Sequence, residues 1–573
     1  MQKRWTIKLP GNPETVTQLA DELNINSILA SLLVQRGIST FEKARHFFRP
    51  QIEDLHDPFL MKDMDKAVKR IENALEEGEK ILIYGDYDVD GTTSVSLVFS
   101  FFSETYNGID YYIPDRYTEG YGISYQGIDY AKKNNFKLII ALDCGIKAVE
   151  KVQYAKEKGI DFIICDHHRP GNEIPPAVAV LDPKRDDCSY PYDELSGCGI
   201  GFKLVQAYSI KNNISFEKLE QLLDLTAISI ACDIVPITGE NRVLAFYGIQ
   251  QINKTPRKGI AALLETAQLK KELTVTDLVF VIGPRINAAG RIEHATKAVK
   301  LLISESDEIA ETTGKSINDN NLLRREIDSS ITEHALAIIA KDDALLSAKT
   351  TVLYNEEWHK GVIGIVASRL IETHYRPTIM LTRSNGMATG SARSVRGFDV
   401  YNAIDSCSDL LEQFGGHKYA AGLTMKIENI QAFQKRFEEV VSSSIDEQLL
   451  IPEITIDYEL DFAEITPKFY RIMKQFAPFG PQNMKPVFVT KNLVDKGYSK
   501  AVGQEGAHLK LDIAQQKNPS KRISGIAFNF GHLIEKVKSG TPFDVVYSLD
   551  ENEWKGEVSL QLKVKDMRES VPA

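Results

Sequence analysis

The chain has 573 residues, 43% of them hydrophobic and 26% charged; at roughly 100–200 residues per domain that is too long for one core and gives about three or four units. A formal net charge of −11 excludes a generally basic nucleic-acid coat but leaves room for positive charge confined to a groove. No apolar run approaches the ~18 residues of a membrane span. The opening MQKRWTIKLPGNPE lacks a signal peptide's apolar core. The six cysteines have neither C-x-x-C spacing nor the density of a disulfide scaffold. A cytosolic protein with reduced, mostly buried thiols is expected.

Residues 1 to about 70 read as short helices, with apolar positions at helical spacing in VTQLADELNINSILASLLVQRG and KAVKRIENALEEGEK. They carry no visible chemistry and are expected to be a structural support for the segments after them. From Ile81 the pattern alternates strand and helix: ILIYG, TTSVSLVFSFF, Tyr111 to Ile113, LIIAL, KAVEKVQYAKEKG, DFIIC and VAVL. Short β-rich runs separated by helical stretches indicate βαβ units around a parallel sheet. Ligands bind at the carboxyl ends of such strands.

Acids fall at those ends. Asp86, Asp88 and Asp90 follow ILIYG, Asp143 follows LIIAL, and Asp166 with His167 and His168 follows DFIIC, while Asp233 closes the apolar helical run LLDLTAISIAC. Carboxylates packed this closely repel one another and call for a hard divalent cation bound through oxygen. The motif D-x-D-x-D-G also opens a calcium-binding EF-hand, but position 12 counted from Asp86 is Leu97, where that loop needs a bidentate Glu. One strand-end Asp can be a plain helix N-cap, and a histidine pair can be a satisfied core. The coincidence of three strands delivering acid or histidine to one edge carries the argument. Asp166 beside the histidines suits an orienter of a metal-bound imidazole.

Beyond these, IPDRYTEGYG places Arg116 and two glycines after a strand, and GPRINAAGR brings Arg285, Asn287 and Arg291 among small residues. Both suit phosphate recognition; a solvated arginine in a turn and a Gly-Pro helix cap fit the same residues. From Ser304 to about Asp343 a long helical connector is expected, its stripe of Leu323, Ile327, Ile331, Ala335 and Ile338 turned to packing. A second αβ region opens near Ser347, with His359 in WHKGVIG, Ser391, Arg393 and Arg396 in GSARSVRG, and Gly415, Gly416 and His417 in FGGHKYAAG. This half has no acid cluster, and its composition fits phosphate and sugar contacts. After the hinge FAPFGPQNMKP, five short alternating β runs in about 90 residues fit a small barrel of the oligonucleotide-binding kind, with an antiparallel sandwich as the alternative.

In this order, GDYDVDGTTS, LDCG, DHH, CDIVP, GPRINAAGR, WHKGVIGIVASRL, GSARS and FGGHKYAAG resemble the DHH phosphoesterase superfamily, whose triplet stands here as Asp166, His167 and His168. From about residue 70 to 570 the chain is similar to the RecJ group of bacterial single-strand-specific exonucleases. The resemblance implies an α/β architecture: an N-terminal helical support (1–70), a DHH catalytic domain with a parallel sheet (71–303), a connecting helix (304–345), a DHHA1 substrate-binding domain (346–450) and an OB-like β-barrel (451–573).

It further implies Asp88, Asp90, Asp143, His167 and Asp233 as ligands of two ions, Asp86 as ligand or close helper, and His168 as a phosphate contact or a support behind the ligands. Arg116, Ser391 and Arg393 fall where the 5′ end of a strand is held, and His417 in a substrate-facing loop. Arg285, Asn287, His359, Gly415 and Gly416 complete the expected substrate contacts. Oxygen-rich coordination with one or two histidines suits Mn²⁺ or Mg²⁺, the two ions roughly 3.5 to 4 Å apart with Asp143 the expected bridge. The expected activity is 5′ to 3′ hydrolysis of single-stranded DNA to mononucleotides by a cytoplasmic monomer in DNA repair and recombination. A single-strand-binding protein and a RecQ-type helicase are the partners that the family suggests. A phosphodiesterase for very short oligonucleotides or cyclic dinucleotides, and a non-catalytic nucleic-acid scaffold, are the alternatives.

Overall fold

The computed structural model describes residues 3–554 and 556–570, in two compact units: residues 52–450, and residues 3–51 together with 451–570. In the first unit, KILIYG, FKLIIAL, DFIIC and AVL form the strands Lys80–Gly85, Phe136–Leu142, Asp161–Cys165 and Ala179–Leu181. With Ile109–Tyr112 outside Lys80–Gly85 they make a five-stranded, wholly parallel sheet. Near-continuous apolar runs suit such a sheet because both of its faces are covered. Alternate residues serve opposite faces. Ile81, Ile83, Ile140 and Ile163 join one core, which takes in the helices Val89–Ser103, Gly197–Lys211 and Leu223–Cys232. Leu82, Tyr84, Ile139 and Ile164 join the other, beneath Tyr125–Lys133 and Val149–Glu157.

The 34-residue helix Asp307–Ala340, N-capped by Ser306, leads to a second five-stranded sheet. Its strands run in the order Gln413–His417, Ala420–Met425, Met387–Arg393, Thr378–Ser384, Thr351–Tyr354, and only the last two are parallel. The helix departs from the expected stripe. Ile331 and Ala335 are buried, but Leu323 is exposed and the buried face also carries Asn321, Arg324 and Asp328. These polar groups compensate one another: Arg324 donates to Asn321 at 2.6 Å, and Asp328 meets Arg369 at 2.8 Å and Arg324 at 3.6 Å. A hydrophobic tally misses a stripe completed by paired polar groups.

In the second unit, Phe488–Asp495, Phe543–Trp554, Glu557–Glu569, Asn518–Ala527 and His508–Gln515 pair in that order, and the last pairs back to the first. The result is a closed five-stranded ring within a seven-stranded sheet, as the oligonucleotide-binding expectation required. The N-terminal helices belong to the core of this second unit. Leu19, Leu29, Leu33 and Phe47 share a core with Phe469, Phe488 and Tyr547, and Arg4–Ile7 pairs in parallel with Glu453–Ile456. The expected segment 1–70 is therefore divided, residues 52–70 standing with the first unit. All six cysteines are free, four of them buried. Among the described residues, no helix is long and apolar enough to cross a membrane.

Candidate metal centre

The carboxyl edge of the parallel sheet gathers the expected acids. Asp86 leaves the Lys80–Gly85 strand fully buried, one oxygen accepting from the amide of Gly122 at 3.3 Å and the other without a partner. Asp88 caps the following helix, accepting from the Gly91 amide at 3.0 Å. Two residues on, Asp90 is gripped by the start of Gly197–Lys211: it accepts from the amides of Gly197 (2.7 Å) and Cys198 (2.8 Å) and from the Ser229 hydroxyl (2.7 Å), itself bonded to Ser196. A helix N-terminus aimed at a carboxylate is a favourable anion seat.

Asp143 and Asp233 come from strained or terminal backbone. Asp143 follows Phe136–Leu142 in the left-handed region (φ 58°), and Ile234, directly after Asp233, has φ 61°. For a β-branched residue that is an outlier, and strain of this kind gathers at functional sites. The imidazole of His167 lies among them, its Nε2 3.2 Å from Asp143, 3.5 Å from Asp233 and 3.7 Å from Asp90. Two sets of candidate ligand atoms converge here, Asp143 with His167 and His168, and Asp90 with His167 and Asp233.

Burial, followed by the charge of the neighbouring carboxylates, pushes Asp86, Asp143 and Asp233 well above the usual carboxylate range. Burial likewise pushes His167 down to about 4. Both its ring nitrogens and Oδ1 of Asp143 are buried without a hydrogen bond. Native structures leave few buried polar atoms unpaired, and carboxylate oxygens and a neutral imidazole are what a hard divalent cation needs. The donor set fits such ions.

Asp166 plays another part. Its carboxylate accepts from the amides of Ile146, His167 and His168 and from Nδ1 of His168 at 2.7 Å. Despite burial, these bonds hold it down at about 2, and they hold His168 up at about 9. Nε2 of His168 meets the Tyr121 hydroxyl at 3.3 Å.

Beside the acids stands a set of arginines. The Arg116 guanidinium lies 4.1 Å from the Tyr87 ring centre, with its Nε unpaired. Arg393 donates to Ser391 at 2.8 Å. Burial, and then the charges of Arg116, Arg324 and Arg393, push Arg291 down to about 10. Arg291 therefore shares the field of Arg116 and Arg393. Arg285 instead bonds Asn318 and the Val281 carbonyl, with Arg325 and Arg324 as its charged neighbours, and Asn287 is half-buried on the same helix. His359 accepts from the Gly361 amide at 3.2 Å. Gly415, Gly416 and His417 are exposed on a hairpin, where burial first and then the charges of His168, Lys147 and Lys184 lower the His417 pKa.

Family models match three stretches: the DHH family, N-terminal domain, over residues 80–230, the DHHA1 domain over 347–443 and the RecJ OB domain over 456–566. A single-stranded-DNA-specific exonuclease RecJ of Bacillus subtilis is 38% identical over 566 residues, covering 98% of this chain and 70% of that protein. The chain belongs to the RecJ family. The RecJ of Escherichia coli is 33% identical, covering 88% of this chain and 90% of its own. The crystal structure of RecJ in complex with Mn²⁺ from Thermus thermophilus aligns with a TM-score of 0.85 at 26% identity, over 99% of this chain and 80% of that one.

Sequence reasoning passed over Ser196, Gly197, Cys198 and Ser229. An ideal Cβ on Gly197 would lie 2.6 Å from Cβ and 2.8 Å from Oδ1 of Asp143, so only glycine lets this helix reach the cluster. The available signal was SGCGIG, an N-cap serine followed by small residues.

Proposed function

We propose that this chain, as a RecJ-family exonuclease, hydrolyses single-stranded DNA from its 5′ end to mononucleotides, using two Mn²⁺ or Mg²⁺ ions. The observation that carries the reading is the convergence of Asp90, Asp143 and Asp233 on the unpaired imidazole of His167. Asp88, Asp90, Asp143, His167 and Asp233 would hold the ions, with Asp86 beside them. Bound ions supply positive charge to the attacked phosphate and ease deprotonation of the attacking water.

The chain's own residues supply the remainder. Arg116 and Arg393, with Ser391, grip the terminal phosphate through charge-assisted hydrogen bonds. Asp166, which can only accept, fixes the proton of His168 on Nδ1 and leaves Nε2 facing the Tyr121 hydroxyl. A protonated His168 then presents a donor to a phosphate oxygen. Arg285, Asn287, His359, Gly415, Gly416 and His417 are read as contacts along the strand. Gly415 and Gly416 suit that reading because they expose backbone on the hairpin beside His417.

The matched ranges and the Asp307–Ala340 helix support boundaries of 71–303, 304–345 and 346–450 within the first unit, and 451–573 for the barrel. Family membership alone supports a cytoplasmic monomer that works with a single-strand-binding protein and a RecQ-type helicase. The test is an assay with Mn²⁺ on 5′-labelled and 3′-labelled 30-mers, single-stranded and duplex, beside a dinucleotide. Label released at once as mononucleotide from the 5′-labelled single strand alone is expected; preference for the dinucleotide or for 3′ ends contradicts the reading.

A further inference from the structure

Three separate segments meet at one small joint beside the arginines. The Tyr117 hydroxyl donates to the main-chain carbonyl of Arg291 at 2.5 Å, and the Arg291 guanidinium donates to the carbonyl of Gly361 at 2.8 Å. The Tyr117 ring stands edge-on to His359. Nothing larger than glycine fits at 361, where an ideal Cβ would lie 2.6 Å from the Tyr117 hydroxyl and 2.9 Å from the Arg291 carbonyl. Gly364, one turn on, is equally close to the pocket, its ideal Cβ 2.9 Å from Oγ of Ser391 and 3.1 Å from Arg393.

The loop that carries Tyr117 is held at both ends. Asp115 accepts from the amides of Tyr117 (2.9 Å) and Thr118 (2.8 Å). Glu119 accepts from the Tyr112 hydroxyl, the Asp115 amide and the Ser124 hydroxyl at 3.0, 2.9 and 2.5 Å. Within this frame Arg116 stacks on Tyr87, which lies between Asp86 and Asp88. Residues 116 and 117 thus face two ways, one toward the carboxylates and one toward Arg291 and Gly361. A rigid joint between a binding pocket and a reacting centre fixes the separation of the two.

We propose that Tyr117 is a positioning residue that sets the distance from the terminal-phosphate pocket to the carboxylate cluster, and with it the length of product released at each cut. This rests on the reading above that Arg116, Ser391 and Arg393 hold the 5′ phosphate. Tyr117→Phe removes the hydrogen bond and keeps the ring. Gly361→Ala disturbs the joint from its other side.

The experiment compares the full-length wild type and both variants, with Mn²⁺, on one single-stranded 30-mer bearing either a 5′ phosphate or a 5′ hydroxyl, reading kcat, KM and product length. For Tyr117→Phe, kcat/KM on the phosphorylated strand is expected to fall about tenfold, chiefly through KM. Its preference for the phosphorylated end is expected to narrow at least fivefold, and dinucleotides to appear among the products; Gly361→Ala shifts preference and product length the same way. A merely structural role slows both substrates alike and leaves mononucleotides as the only product, which overturns the proposal. A wild-type preference that both variants retain also overturns it, whereas a wild type indifferent to the 5′ phosphate overturns the underlying reading and the proposal with it.

Discussion

Nε2 of His167 lies 3.2 Å from Oδ1 of Asp143, and neither atom takes part in a hydrogen bond. Buried polar atoms left without partners beside further carboxylates destabilise the fold until a cation joins them. Chelating divalent ions is therefore expected to lower Tm. Mn²⁺ at 100 times its Kd restores about 2.7 kcal/mol. Asp143→Asn, whose amide tolerates the same left-handed backbone, is expected to raise the Tm of the chelated protein by about 2 °C or more while abolishing the Mn²⁺-induced rise. Thermal melts with and without Mn²⁺ check this; an Mn²⁺-induced rise retained by the variant contradicts it.

Gly197 is where the helix that grips Asp90 touches Asp143. Gly197→Ala forces a methyl to 2.6 Å from Cβ of Asp143, and overpacking of this kind costs about 1–3 kcal/mol. Because a misplacement of about 1 Å can cost a factor of about 100 in rate, single-strand hydrolysis is expected to fall at least that far. The far-UV spectrum should stay native. Near-wild-type turnover in Gly197→Ala would show that the helix start does not set the cluster.

Lys203 and Glu240 form a fully buried ion pair at 3.0 Å. Lys203 also donates to the His56 carbonyl, and Glu240 accepts from the His56 amide and the Tyr190 hydroxyl. Removing one partner leaves an uncompensated charge, so Lys203→Met is expected to destabilise by about 3–5 kcal/mol. Tyr190→Phe, which removes one hydrogen bond to a charged group, is expected to cost about 1.5–3 kcal/mol. Urea midpoints rank the two, and equal shifts contradict the larger cost assigned to removing one charge of the buried pair.

Asp182 gives a pH signature. Burial pushes its carboxyl up to about 7, against about 3.9 unfolded; one oxygen accepts from the Lys184 amide and the other has no partner. Between these two values the folded chain binds the proton more tightly than the unfolded chain, so this group's contribution is most favourable at low pH and is lost as pH rises from about 4 through 7. Asp182→Asn does not titrate. Relative to the wild type it is expected to gain about 2–3 kcal/mol between pH 5 and pH 8, at about 1.4 kcal/mol per pKa unit. Urea unfolding of both proteins at the two pH values checks this, and a difference that does not change with pH contradicts it.

What could be read in advance follows the range of the interactions. ILIYG, LIIAL and DFIIC read as buried parallel strands, and because ligands gather at such strand ends, Asp86, Asp143 and His167 are legible from local sequence. Asp233 was legible as the end of an apolar helix. The hold on Asp90 was not, because Gly197 and Cys198 lie more than a hundred residues away and a serine-glycine helix start resembles any other. Arg285 and Arg291 were indistinguishable within one motif, since which faces Arg116 depends on helix phase and packing. The pairing of Arg4–Ile7 with Glu453–Ile456 joins segments more than four hundred residues apart and leaves no local trace. The long helix hid its packing face because Arg324 and Asp328 pair there.

The most direct test of the central claim is the turnover of a 5′-labelled single strand by Asp143→Ala, in saturating Mn²⁺ and free of contaminating nuclease, alongside its affinity for the same strand. Loss of hydrolysis by a factor of about 1000 or more, with strand affinity within a few-fold of wild type and a native fold, is the predicted result. Turnover near the wild-type rate would contradict it and take the metal centre out of the account.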